Sequence, residues 1–89
     1  MVSRDLTIVN KLGLHARAAA KFVNLASRFQ SEVHLEREGR QVNGKSIMGV
    51  MMLAASPGTT ITLAIDGEDE GEALDELARL VEDGFGEQD

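Results

Sequence analysis

The stretch LGLHARAAAKF, residues 12–22, decides where the chain changes from loop to helix, and it places a histidine at the change. Gly13 lies in the loop part, and the alanine-rich part that follows has the highest helix propensity. We therefore predict a helix that begins at Ala16, directly after His15. The start of a helix gathers unpaired backbone N–H groups, which attract anions. His15 is thus placed where a phosphate could be held.

Apolar periodicity outward from this stretch predicts four strands and three helices. Alternating apolar and polar residues predict strands over Leu6–Val9, around Val33–Leu35, over Arg40–Asn43 and over Thr59–Asp66. Apolar residues three and four positions apart predict helices from Ala16, from Ile47 to about Ala54, and from about Asp69 to Gly84. The order is β-α-β-β-α-β-α, and three amphipathic helices need one apolar sheet face to cover. We expect an α+β domain with a four-stranded, mainly antiparallel sheet covered on one face by helices.

Polar residues are predicted to cap the second and third helices. Ser46 precedes the second helix, and its hydroxyl could accept a hydrogen bond from a free N–H group of the first turn. Asp69 and Glu72 fit a variant of the capping-box spacing at the start of the third helix. Both predictions fix where those helices begin.

Composition narrows the class of protein. The chain has 89 residues, 43% of them hydrophobic, which predicts one globular domain over residues 1–89. A net charge of −6 argues against general binding to nucleic acid or to anionic membranes. With no cysteine and two histidines, no disulfide, metal site or cofactor is expected. No signal-peptide core and no membrane-spanning apolar run is seen, so we expect a cytoplasmic protein without membrane insertion.

The charges are distributed unevenly along the chain. Residues 1–50 hold eight Lys or Arg against four acids, whereas residues 51–89 hold only Arg79 against eleven acids. This asymmetry predicts two differently charged faces, with His15 in the basic half. The acidic last helix is most simply a solvated face.

The residues around His15 suit the binding of a phosphoryl group. The backbone N–H groups of Ala16 and Arg17 would point towards the imidazole, and the Arg17 side chain can add a planar fork of donors. Imidazole is also a competent nucleophile near neutral pH. From these residues alone, an ordinary surface histidine at a helix start is the alternative. The second histidine, His34, alternates with apolar residues and is predicted to be an exposed strand residue without a role.

Two separated segments, GLHARAAAKF at residues 13–22 and GKSIMGVMML at residues 44–53, resemble HPr, the histidine-containing phosphocarrier of the bacterial phosphotransferase system. The resemblance covers essentially the whole chain. It implies an open-faced β-sandwich, with His15 as the phosphoryl acceptor through Nδ1 and Arg17 as the phosphate partner. The serine that a dedicated kinase phosphorylates in some HPr proteins falls on Ser46.

The resemblance also implies protein partners. Enzyme I would phosphorylate His15 with phosphoenolpyruvate as the source, and the group would pass to a histidine of a IIA-type protein. The chain would then be a phosphoryl-group carrier with a phosphohistidine intermediate, not an enzyme, and a monomer as family members usually are. In the second helix, the residues predicted to face the core are Val50, Leu53 and Ala54. The residues predicted to dock partners are Ile47, Met48 and Met51, with Lys21 and Lys45 as a basic rim.

Three other functions stay open at this point. Ala18 stands where the family commonly has proline, which is more like proteobacterial HPr and its nitrogen-branch relative NPr. The chain could therefore be a nitrogen-branch regulator that acts through phosphorylation-dependent protein binding. A hydrolase with His15 as base is the second alternative, although no local carboxylate, serine or cysteine supports it. A plain binding scaffold is the third.

Overall fold

The computed structural model describes residues 1–87, and the predicted order of elements is found there. The strands are β1 (Val2–Thr7), β2 (Glu32–Arg37), β3 (Arg40–Asn43) and β4 (Thr60–Asp66). The helices are α1 (Ala16–Ala26), α2 (Ile47–Met52) and α3 (Glu70–Glu82), followed by a short 3₁₀ turn at Gly84–Gly86. None of the helices formed by residues 1–87 has the length and hydrophobicity of a membrane span.

The sheet has four strands in the order β1-β4-β2-β3, and every neighbouring pair is antiparallel. Alternation along β4 places Ile61, Leu63 and Ile65 in the core, while Thr60 and Asp66 are exposed. The helices cover the buried face, where Phe22 of α1 is among the largest fully buried side chains. The predicted α+β architecture, with one open sheet face, is confirmed.

The first strand lies earlier in the chain than the predicted Leu6–Val9. It runs from Val2 to Thr7, in register with β4 from Val2 opposite Ile65 to Thr7 opposite Thr60. Ile8 still donates its N–H to the Thr59 carbonyl at 2.9 Å and is buried, but Val9 is 55% exposed. The prediction missed the first part of β1 because Ser3, Arg4 and Asp5 are exposed, so this part of the strand has no apolar alternation.

The predicted Asp69–Glu72 capping box is not formed. The Asp69 carboxylate instead accepts hydrogen bonds from the backbone N–H groups of Gln30 and Ser31 at 2.9 and 3.0 Å, and from the Ser31 hydroxyl. These bonds, the hydroxyl's foremost, hold the pKa of Asp69 below its usual range. They tie the loop after α1 to the start of α3. A local spacing rule missed them because the donors lie nearly forty residues away.

The end of α2 also differs from the prediction. The helix ends at Met52, and Ala54 is exposed with a left-handed φ of 54°, whereas Val50 and Leu53 are buried as predicted. Arginine side chains from the β2–β3 hairpin complete the helix end: Arg40 donates to the Met52 carbonyl at 3.1 Å and Arg37 to the Leu53 carbonyl at 3.2 Å.

Candidate functional site

His15 is the N-cap residue of α1, as predicted. Its backbone is extended, with φ −78° and ψ 179°, and its side chain is half-buried. The ring nitrogen Nδ1 accepts a hydrogen bond from the backbone N–H of Arg17 at 3.3 Å. The fold therefore aims Nδ1 at the amide groups that the first helical turn leaves unpaired.

The other ring nitrogen, Nε2, contacts a residue that sequence reasoning missed. It lies 2.6 Å from Oε2 of Glu87, whose side chain is only 10% exposed. The second carboxylate oxygen, Oε1, accepts a hydrogen bond from the Asn10 side-chain amide at 2.9 Å. The same amide donates to the Gly13 carbonyl at 2.8 Å. One carboxylate thus joins His15 to the buried start of the loop that precedes α1.

The two contacts of His15 agree on the position of the ring proton. A backbone N–H donates to Nδ1, so Nδ1 presents a lone pair. The carboxylate at Nε2 can only accept, so Nε2 carries the proton. Hydrogen bonds, led by that from Asn10 and with His15 contributing, lower the pKa of Glu87, which keeps it charged and able to accept.

The 3₁₀ turn at the end of the chain brings Glu87 to this place. Phe85 is buried with a φ of 60°, and its carbonyl accepts a hydrogen bond from the Lys21 ammonium group at 2.8 Å. Lys21, predicted as part of a basic rim, therefore also anchors this turn to α1. The ammonium group of Lys45, the other predicted rim residue, donates to the Phe29 carbonyl at 2.7 Å.

The predicted phosphate partners lie beside Nδ1. Ala16 and Arg17 are both exposed, at the first two positions of α1. Within residues 1–87 the Arg17 guanidinium makes no hydrogen bond or ion pair. It is therefore available to a bound anion. The same part of the chain has no group of three or more metal-ligating side chains.

An apolar surface lies on α2, which contacts α1. Ser46 caps α2 as predicted, since its hydroxyl accepts a hydrogen bond from the Gly49 N–H at 3.1 Å. We call the exposed large apolar side chains of this helix the α2 apolar patch; they are Ile47, Met48, Met51 and Met52. The sequence prediction contained all of these except Met52. Leu12, 68% exposed in the loop before His15, was also not predicted.

Comparison with known proteins agrees with this geometry. A family model for the phosphorylation site of the HPr component of the phosphotransferase system matches residues 2–83. The phosphocarrier protein HPr of Cupriavidus necator is 61% identical over 87 residues, which is 98% of each chain.

Solved structures give the same result. An HPr crystal structure from Thermoanaerobacter tengcongensis superposes with a TM-score of 0.95 at 46% identity, covering 99% of each chain. An HPr dimer from the same organism gives a TM-score of 0.78 at 47% identity, covering 98% of this chain and 100% of the other. The chain belongs to the HPr family, the phosphocarriers of the phosphotransferase system.

Proposed function

We propose that His15 takes a phosphoryl group on Nδ1 from Enzyme I and passes it to a histidine of a IIA-type protein. The observation that carries this proposal is the direction of the Nδ1 lone pair, which faces the first-turn amides of α1. A phosphoryl group on that atom would meet the N–H groups of Ala16 and Arg17 and the positive end of the helix.

The transfer itself needs few groups from this chain. The Nδ1 lone pair attacks the phosphorus of the donor's phosphohistidine, a new N–P bond forms, and the donor nitrogen keeps the electrons of the broken bond. The Arg17 guanidinium can pair with two phosphoryl oxygens and offset their charge. Because attack and departure are both in line, the partner must approach along the exposed side of Nδ1.

The α2 apolar patch is the proposed docking surface for both partners. Methionine side chains adapt to differently shaped partners, and one surface must serve donor and acceptor in turn. Arg17 and Lys21 lie on α1 and Lys45 lies in the turn before α2, and these cations would favour acidic partner surfaces. A phosphate on Ser46 would add negative charge at the edge of this patch and oppose docking, which is how we propose a serine kinase would regulate the chain.

The branch and the oligomeric state are further parts of the proposal. We favour a carrier whose phosphoryl group serves sugar uptake. A regulatory role in the nitrogen branch is the alternative, because Ala18, in place of the common proline, is compatible with both proteobacterial HPr and NPr. We also propose a monomer, because a carrier must expose His15 to two partners in turn. A relative from Thermoanaerobacter tengcongensis is described as a dimer, so sedimentation at working concentration is the appropriate check.

The test is phosphorylation by purified Enzyme I of each branch with phosphoenolpyruvate, followed by intact mass. We expect an acid-labile gain of one phosphoryl group that is lost in His15→Ala and kept in the matched control His34→Ala. The more efficient Enzyme I identifies the branch. A folded wild-type chain that neither Enzyme I phosphorylates would refute the proposed carrier function, and equal labelling of His15→Ala would move the acceptor elsewhere.

A further inference from the structure

The carboxylate of Glu87 and the amide of Asn10 form a chain of hydrogen bonds that ends on the ring of His15. The Asn10 amide donates to Glu87 Oε1 at 2.9 Å, and His15 Nε2 donates to Glu87 Oε2 at 2.6 Å. From these contacts we propose that Glu87 is a positioning residue, which holds the proton of His15 on Nε2 so that Nδ1 keeps the lone pair that accepts phosphate. The inference rests on the proposed function.

Asn10 fixes the Glu87 carboxylate in this role. Asn10 is only 2% exposed, and its side-chain NH₂ group donates to two acceptors, the Gly13 carbonyl and Glu87. Turning this amide over would place its oxygen against both acceptors. The amide orientation is thus locked, and the position at residue 87 must offer an acceptor to Asn10.

Position 87 must offer one acceptor to Asn10 and a second acceptor to the Nε2 proton of His15, and a carboxylate does so because both of its oxygens accept. It accepts from Asn10 with one oxygen and from the Nε2 proton of His15 with the other. During transfer, Nδ1 forms the bond to phosphorus while the proton stays on Nε2. The ring then becomes a cation, and the adjacent carboxylate offsets that charge.

An amide at position 87 has only one accepting oxygen, so it cannot accept from both Asn10 and His15. In Glu87→Gln, the side-chain oxygen would pair with the locked Asn10 amide, and the NH₂ group would face His15. Nε2 would then have to accept a hydrogen bond, so the ring proton would move to Nδ1 and remove the lone pair. Exchanging a ring-orienting carboxylate for its amide has this effect in other histidine-dependent sites.

Alanine removes the contact without imposing the wrong proton position. In Glu87→Ala the Arg17 N–H still donates to Nδ1 and still favours the proton on Nε2. The proposal therefore predicts an unusual order, in which the smaller change, glutamine, is more harmful than alanine. If Glu87 only packed or tied down the chain end, alanine would be the more harmful change.

The experiment combines two readouts on the wild type, Glu87→Gln, Glu87→Ala and the matched control Glu36→Gln. Glu36 is an exposed residue of β2 on the sheet face away from the helices, so its change removes the same charge far from His15. The ¹⁵N chemical shifts of the His15 ring show which ring nitrogen carries the proton. The initial rate of phosphorylation by Enzyme I shows how readily Nδ1 accepts the phosphoryl group.

We expect the wild type and Glu36→Gln to carry the proton on Nε2 and to react equally fast. Glu87→Gln should shift the proton towards Nδ1 and slow phosphorylation by about tenfold or more, with Glu87→Ala between it and the wild type. A Glu87→Gln chain that keeps the wild-type ¹⁵N pattern, or that reacts faster than Glu87→Ala, would overturn the inference. The ¹⁵N comparison needs no phosphorylation, so it tests the inference even if Enzyme I fails on every chain.

Discussion

At the scale of single residues, His15, the proposed acceptor, is contacted at both ring nitrogens: the Arg17 N–H donates to Nδ1 at 3.3 Å, and Oε2 of Glu87 lies 2.6 Å from Nε2. His15, Arg17 and Ser46 all follow local rules, because each lies at the start of a helix whose apolar stripe is easily read. Glu87 follows no such rule. It lies beyond the end of α3, and its contact with His15 spans seventy-two residues. Only the tertiary structure brings the two side chains together, so no pattern in the chain could have indicated it.

Ala54 gives a prediction of its own at this scale. Its left-handed φ of 54° is costly for a residue with a Cβ atom and natural for glycine. Ala54→Gly should raise the free energy of unfolding by about 0.5–1 kcal/mol, measured by urea denaturation. The matched change Ala20→Gly, inside α1, should lower it by about 1 kcal/mol. A loss of stability in Ala54→Gly would contradict this prediction, because it would mean that the strain at Ala54 is smaller than the entropy that glycine loses on folding.

At the scale of elements, periodicity predicts each helix and strand, while the ends depend on contacts from elsewhere. The β4 alternation and the α1 stripe were correctly predicted because burial repeats along one element. The start of α3 was also predicted at the right place, but its capping box was not formed, because the Asp69 carboxylate accepts from Ser31 and not from its own helix. Likewise, two arginines of the β2–β3 hairpin donate to the carbonyl groups at the end of α2.

Two substitutions of Ser46, the cap of α2, should affect stability and partner docking differently. Ser46→Ala removes the hydroxyl that accepts from the Gly49 N–H and should lower the free energy of unfolding by about 1 kcal/mol. Ser46→Asp keeps an accepting cap, so urea denaturation should find it close to the wild type. Its charge should nevertheless slow phosphorylation by Enzyme I, whereas Ser46→Ala should react at nearly the wild-type rate. Equal rates for the two variants would remove Ser46 from the proposed docking surface.

At the scale of the whole molecule, long-range polar contacts close the fold around its core. The Asp69 carboxylate links the loop after α1 to α3, and the Glu87 carboxylate links the chain end to the loop before α1. Composition and pattern could predict the α+β class and the covered sheet face. They could not predict these links, because a surface carboxylate in sequence looks the same whether or not a distant donor reaches it.

Acid pH should weaken the Asp69 link in a predictable direction. Hydrogen bonds lower the pKa of folded Asp69 below its unfolded value of 3.8, so their stabilisation is present above that pH and is lost as the pH falls through the folded pKa. Asp69→Asn should therefore be less stable than the wild type at pH 7, and the difference should shrink below about pH 3.8.

Urea denaturation across this pH range measures the effect. The matched change Asp75→Asn, on the exposed face of α3, should show a much smaller difference at neutral pH, since the Asp75 carboxylate faces Arg4 at 3.8 Å on an exposed surface. A constant gap between Asp69→Asn and the wild type from pH 7 to pH 2 would contradict the assignment of the link to the ionised carboxylate.

The position of β4 between β1 and β2 has a consequence for synthesis of the chain. A ribosome makes β1 first, but the strand that pairs with it ends only at Asp66. At translation speeds of about 5–20 residues per second, β1 waits on the order of 3–12 s without its partner. The strand made last lies between two that were made earlier, so the sheet can be completed only after Asp66 has been made.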